Sequence, residues 1–210
     1  YQGATAARIE LDREDYETAL HAIWRDIISK KMHISGGIGA RHDIEGFDVD
    51  FNLPHDAYLE TCAAIGLAFF ARRMLQIKPD SKYADVMEMA LYNTVLAGMA
   101  LDGKSFFYVN PLAVVPEACR RNQLMHHVQP TRRKWFGCAC CPPNIARIVS
   151  SVASYAYTEN EDTLFTHLYM GGTVEKNFSG KKLTMDTPKS DVIAYMYNGK
   201  CVATVDGEKL

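Results

Sequence analysis

The sequence predicts a mainly helical chain that gives way to an antiparallel β tail near residue 158. Three observations carry that reading. Between residues 12 and 157, apolar residues recur at helical spacing in four segments. Beyond Thr158 the period shortens to alternation, broken by the turn dipeptides Gly171-Gly172, Ser179-Gly180 and Asn198-Gly199. The chain is also large enough to bury a sizeable core, as one large or two small domains, with 210 residues, 48% of them hydrophobic and 23% charged.

Asp12 is the expected N-cap of the first helix, in which Tyr16, Ala19, Leu20, Ile23, Trp24, Ile27 and Ile28 form one apolar stripe ending near Lys31. Ser35-Gly36-Gly37-Ile38-Gly39 follows a helix, not a strand, and lacks a Lys-Ser/Thr ending, so it reads as a tight connection and not as a phosphate loop. Residues 41–55 are polar and irregular. A second helix is expected from about Asp56 to Leu75, with Lys78-Pro79-Asp80 separating it from a third over Ser81 to Met99. After a strand-like Ser105 to Val109 and a long loop, a fourth helix over Pro142 to Tyr157 aligns Ile145, Ile148, Val149 and Val152. The tail should hold strands at Leu164 to Met170, Val174 to Phe178, Leu183 to Met185, Val192 to Tyr197 and Cys201 to Val205.

A net charge of −2 and a pI near 6.4 provide no field to hold nucleic acid. No apolar run approaches the roughly 20 residues that span a bilayer, so neither partner is expected. The basic runs Arg120-Arg121 and Arg132-Arg133-Lys134 read as solvated surface. Six cysteines are too few for a disulfide scaffold, and adjacent Cys140 and Cys141 would be awkward to bridge, which points to a reducing, cytoplasmic compartment. No signal peptide is visible. The chain opens on Tyr1 without an initiator methionine, so its true amino terminus is expected to lie upstream.

The densest chemistry lies in Trp135-Phe136-Gly137-Cys138-Ala139-Cys140-Cys141-Pro142-Pro143-Asn144, which holds three of the six cysteines just before a proline pair that starts a helix. Thiols at a positive helix end are expected to have lowered pKa values, and to be reactive or to hold metal. Glu60 and Cys62, in Tyr58-Leu59-Glu60-Thr61-Cys62, would complete with Cys140 and Cys141 a zinc-type set of three thiolates and one carboxylate. The alternative is that Cys62 packs as a small buried hydrophobe. Residues two apart do not share a face of a regular helix, so Glu60 and Cys62 converge only at an irregular helix end, which residues 56–61 are expected to supply.

With these motifs in view, the sequence resembles glycoside hydrolase family 127, the cysteine-dependent β-L-arabinofuranosidases. The resemblance rests on Ile34-Ser35-Gly36-Gly37-Ile38-Gly39 followed by Glu45-Gly46-Phe47, and on Asp50-Phe51-Asn52-Leu53-Pro54. It extends through Glu60-Thr61-Cys62-Ala63, through Leu101-Asp102-Gly103-Lys104 with Tyr108-Val109-Asn110, and through Trp135 to Arg147. It covers most of the chain from about Ala6 to Tyr169, although the stretch between Glu45 and Glu60 is one residue shorter than the family pattern.

The resemblance implies part of an (α/α)6 barrel over residues 1–157 and the start of an antiparallel β-sandwich over 158–210. Family members are several-fold longer, so the chain would begin partway through the barrel. It further implies zinc bound by Glu60, Cys62, Cys140 and Cys141, with Cys140 as nucleophile and Glu45 as acid/base in the two-step retaining scheme. The implied substrate is a small carbohydrate ending in a β-L-arabinofuranoside. Tyr108 matches a position near the sugar, its alternative being a core-edge aromatic. His42 shares the loop of Glu45 and is a candidate to touch a sugar hydroxyl, its alternative being an incidental loop histidine. Cys138 is expected to be a structural thiol, and Cys119 and Cys201 have no motif around them. Two rival readings are a noncatalytic domain stapled by zinc through the same four ligands and an inactive fragment, and a homo-oligomer is compatible with all three.

Overall fold

The structure, a computed structural model, describes residues 1–178, 180–187, 202–205 and 208–209. These fall into two compact units, Tyr1–Ser150 and Ser151–Leu210. The first unit holds helices α1 (Gln2–Glu10), α2 (Glu14–Asp26), α3 (Thr61–Ile77), α4 (Ser81–Ala90), α5 (Pro116–Arg121) and α6 (Cys141–Ser151). α2 and α4 each continue into a wider π-type turn, Ile27–Lys31 and Leu91–Leu96. Among the described residues, no helix is long and apolar enough to cross a membrane.

α3 is the centre of this unit. Ala64, Ile65, Leu67, Ala68, Phe70, Ala71, Met74 and Leu75 are all buried, so the helix is apolar on more than one face and has to be enclosed. α1, α4 and the turn after α4 pack against it. Trp24 from α2 meets Phe70 edge-on at 5.5 Å and Tyr83 at 4.8 Å, a geometry that aromatic quadrupoles favour.

α1 was not among the expected helices, and it moves the start of α2. Arg13, not Asp12, occupies the N-cap, without a side-chain cap bond. Asp12 takes φ 49° at the corner between the helices, a conformation that Asp tolerates better than most residues, and pairs with Arg8 at 2.8 Å. The loop after α2 is a tight connection, as predicted. Gly36 has φ 81°, and a Cβ there would lie 2.7 Å from the Ala90 backbone nitrogen, so α4 leaves room only for glycine.

The second helix begins at Thr61, later than Asp56, because the preceding residues spend their backbone groups elsewhere. Thr61 N–H donates to Tyr108 O at 2.9 Å, Asn110 N–H to Leu59 O at 2.9 Å, and Glu60 bridges Val109. The Thr61 hydroxyl donates to Phe107 O at 2.8 Å. Ser105 to Val109 thus forms isolated bridges and no regular strand. The third helix starts at Ser81 as predicted, Asp80 accepting from Lys82 N–H at 3.2 Å. α5 arises within the expected long loop. The fourth helix starts at Cys141 and stops at Ser151, short of Tyr157.

The second unit opens on a single helical turn, α7 (Ala153–Ala156). An antiparallel pair follows, β1 (Tyr157–Glu159) with β2 (Leu164–Thr166). β3 (Gly172–Phe178), β4 (Lys181–Thr187), β5 (Val202–Val205) and β6 (Glu208–Lys209) form a four-stranded antiparallel sheet in that order. Phe178 opposite Lys181 closes the β3–β4 turn, where Gly180 takes φ 84°. The strand expected at Val192 to Tyr197, the Asn198-Gly199 turn and Cys201 lie outside the described residues. A mainly helical chain with an antiparallel strand tail is therefore what the structure contains.

Candidate functional site

The backbone pairing at the start of α3 sets the first half of the site. Glu60, at φ −66° and ψ 135°, is still extended when Thr61 begins the helix, so Glu60 and Cys62 turn toward the same point although only one residue separates them. The second half comes from the start of α6, where Pro142 and Pro143 follow Cys141 in the first turn. Phe136 anchors the approach to that turn, 5.2 Å from the Phe106 ring and 5.5 Å from the Tyr108 ring.

The two halves bring Glu60, Cys62, Cys140 and Cys141 together, their ligand atoms all within 4.8 Å of one another. The sulfurs of Cys62 and Cys141 are 3.4 Å apart and those of Cys140 and Cys141 3.7 Å. Glu60 Oε1 is 3.3 Å from Cys140 Sγ and 4.0 Å from Cys141 Sγ. A tetrahedral ion with sulfur ligands at about 2.3 Å needs ligand–ligand edges of about 3.8 Å, so both the spacing and the soft donor set suit zinc. Cys141 is fully buried, while Cys140 and Cys62 are half-buried.

The electrostatics differ from the expectation that the helix end lowers both Cys140 and Cys141. Burial pushes Cys140 up to about 12. Cys141 is raised by its contact with Cys62 and by burial, and burial raises the Glu60 carboxyl, with the Glu45 charge adding to it. Cys62 alone of the three ligand thiols is lowered, through its hydrogen bonds from Cys141 and Asn144. Burial and crowding together outweigh the helix end, because the charged form loses water and one anion within 4 Å opposes the next. A divalent cation held by these groups would favour the ionised form of each of them.

Tyr108 is 2% exposed, and its hydroxyl lies 3.0 Å from Cys140 Sγ. Its backbone also accepts from Thr61, so one residue fixes both halves of the site. Glu45 is exposed, at φ 47° in the turn that Arg41 and Gly46 close by mutual backbone bonds of 3.0 and 3.2 Å. Its charge acts on Glu60 and Cys138. Its Oε1 lies 3.4 Å from the Tyr58 hydroxyl. His42 is placed differently. It lines a cavity of about 480 Å³ with Arg41, Asp43, Asp56 and Asn122, which no member of the thiol cluster lines, and its Nε2 is 3.4 Å from Asn122 Nδ2. Cys138 is exposed rather than packed, and hydrogen bonding from the Tyr108 hydroxyl lowers it.

Three neighbours were missed in the sequence. The Asn144 amide donates to Cys62 Sγ at 3.1 Å, with Arg147 holding its oxygen. Asn144 stands inside the cysteine motif, three positions beyond Cys141, so its placement in the first turn of the helix was a usable signal. Tyr58 and His127 share a 3.0 Å hydrogen bond, and His127 stacks on Tyr108 at 4.0 Å. Nothing in the sequence connects two residues 69 positions apart.

Residues 3–154 match the family model of the β-L-arabinofuranosidase GH127 catalytic domain. Over 155 residues the chain is 44% identical to a non-reducing end β-L-arabinofuranosidase of Bifidobacterium longum subsp. longum, covering 72% of this chain and 23% of that protein. Among solved structures, a GH127 β-L-arabinofuranosidase from Geobacillus stearothermophilus T6 superposes with TM-score 0.87 at 41% identity, over 98% of this chain and 32% of that one. A GH127 β-arabinofuranosidase superposes with TM-score 0.84 at 36% identity, over 98% of this chain and 30% of that one. These neighbours are (α/α)6-barrel enzymes, and the chain spans about a quarter to a third of the length of the relatives it matches. By sequence and by fold, the chain belongs to glycoside hydrolase family 127.

Proposed function

We propose that the protein carrying this chain is a retaining glycoside hydrolase that releases terminal β-L-arabinofuranosyl groups, with Cys140 as nucleophile and Glu45 as acid/base. One observation carries the reading: three thiols and a carboxylate, drawn from two helix starts some eighty positions apart, converge within 4.8 Å, and Cys140, unlike its neighbour Cys141, is not fully buried. The β-L-arabinofuranosidase identity of the Bifidobacterium and Geobacillus relatives supports the substrate class. On this reading residues 1–157 are part of the catalytic barrel, residues 158–210 are a β-sandwich segment, and the unpaired thiols suit a reducing compartment.

In the first step Cys140 Sγ forms a bond to the anomeric carbon as the glycosidic C–O bond breaks, and Glu45 gives its proton to the departing oxygen. In the second, Glu45 takes a proton from water, the water oxygen bonds to the anomeric carbon, and the C–S bond breaks to return the Cys140 thiolate. Tyr108, 3.0 Å from that sulfur, orients it by donating to the thiolate and contacts the sugar. Glu60, Cys62, Cys140 and Cys141 would hold a zinc ion, which supplies the positive charge that keeps these thiols ionised near neutral pH.

The test is to quench the protein during turnover of a nitrophenyl β-L-arabinofuranoside and analyse its peptides by mass. One pentosyl group on the peptide containing Cys140 is expected. The same group on a carboxylate side chain, with Cys140 unmodified, overturns the assignment.

A further inference from the structure

Glu45 has a demanding task on an undemanding support. It is exposed, in a left-handed turn, with no helix or strand to fix its carboxylate. The polar atom that meets it is the hydroxyl of Tyr58, a residue only 2% exposed, 3.4 Å from Oε1. The same hydroxyl lies 3.0 Å from His127 Nδ1.

With Glu45 ionised, the state it takes once it has protonated the leaving group, those two distances fix a direction. A phenol has one proton to donate, whereas an ionised carboxylate has none. If Tyr58 spends its proton on Glu45, His127 must donate Nδ1–H to the Tyr58 oxygen, and its tautomer follows from that. The bonds then run from His127 Nδ1–H to Tyr58 Oη, and from Tyr58 Oη–H to Glu45 Oε1. With Oε1 occupied, Oε2 is the oxygen left to give and take a proton.

The imidazole also faces the nucleophile's side. It stacks on Tyr108 with ring centres 4.0 Å apart and planes 24° apart, and the Tyr108 hydroxyl is 3.0 Å from Cys140 Sγ. Phe136 closes the ring cluster, 6.0 Å from His127 and 5.5 Å from Tyr108. One side chain therefore packs between the residue that touches the acid and the residue that touches the thiol.

We infer that Tyr58 and His127 are positioning residues that hold Glu45 through one hydrogen-bonded relay and couple its placement, through Tyr108, to that of Cys140. The inference deepens the proposed function and rests on Glu45 as the acid/base.

The experiment compares two β-L-arabinofuranosides in the intact protein that carries this chain. One has a nitrophenyl leaving group, which departs without a proton; the other has an alkyl leaving group, which needs one. Glu45→Gln should lose about 10²-fold more on the alkyl substrate than on the nitrophenyl one, the scale of general acid catalysis. Tyr58→Phe and His127→Phe should lose on the order of 10-fold more on the alkyl substrate. Equal losses on both substrates in these two variants, with the split intact in Glu45→Gln, would overturn the relay and leave the proposed function standing. Absence of the split in Glu45→Gln itself would remove the acid role and the relay with it. A second readout needs no substitution: ¹⁵N NMR of the intact protein should show His127 as the Nδ1–H tautomer, and an Nε2–H tautomer there overturns the relay whatever the kinetics.

Discussion

The two helix starts that build the site are held in different ways. Ahead of α3, Ala57, Tyr58 and Leu59 are at most 2% exposed, and the backbone of residues 59–61 is bonded to residues 108–110. Ahead of α6, Trp135 is 63% exposed and residues 137–139 are exposed, so that Phe136 is the anchor. The fold thus places Glu60 and Cys62 whatever the fate of the thiols, whereas Cys140 and Cys141 depend on a few side-chain contacts and on the cluster itself. On the proposed mechanism, chemistry would sit on the more lightly held half, where a nucleophile that forms and breaks a bond to sugar has room to move.

That contrast can be broken most sharply at Cys140. Cys140→Ser should reduce turnover on the order of 10⁴-fold or more, with thermal unfolding of the intact protein nearly unchanged. Retained hydrolysis in that variant would remove Cys140 as the nucleophile. Phe70→Ala attacks the other half from below, since Phe70 is the buried ring of α3 that receives Trp24. A loss of about 3–5 kcal/mol in denaturant unfolding is expected, and a loss under 1 kcal/mol would mean that α3 is not the centre of the core.

Smaller changes sharpen the picture. Asn144→Ala removes the amide that donates to Cys62 Sγ at 3.1 Å. Metal affinity, measured by competition with a chelator, should fall about 10–100-fold, as for other groups that orient a ligand; unchanged affinity would show that Cys62 is held by the backbone alone. The smallest effect concerns His33, which is 2% exposed and whose pKa burial lowers. The unfolded chain, titrating near pH 6.5, takes up a proton there that the folded chain refuses, so stability is full above that pH and declines as pH falls from 7 toward 5. His127 and His167, lowered by burial as well, add to the same slope. His33→Gln should flatten part of that decline in unfolding experiments, and an unchanged slope would contradict it.

Much of this was legible from residue spacing. The apolar stripes of α2, α3 and α4 are dictated by the 3.6-residue period, and the change to alternation after Thr158 marks the tail. The four ligand-type residues were visible from their chemistry and from a family resemblance. Their convergence follows from the pairing of residues 59–61 with 107–110, a contact between segments with no shared pattern. α1 escaped because its stripe is weak, with Thr5 as its buried residue. The pKa order of the thiols was not legible, since a helix end is a local feature whereas burial and the contact with Cys62 are tertiary. His127 reaches Tyr58 across 69 positions and carries no motif.

X-ray absorption at the zinc edge of the intact protein tests the central arrangement most directly. Three sulfur ligands at about 2.3 Å and one oxygen at about 2.0–2.2 Å are predicted, with one sulfur lost in Cys62→Ser. A first shell of nitrogen and oxygen only, or an unchanged sulfur count in that variant, would contradict the joining of the two helix starts at one metal.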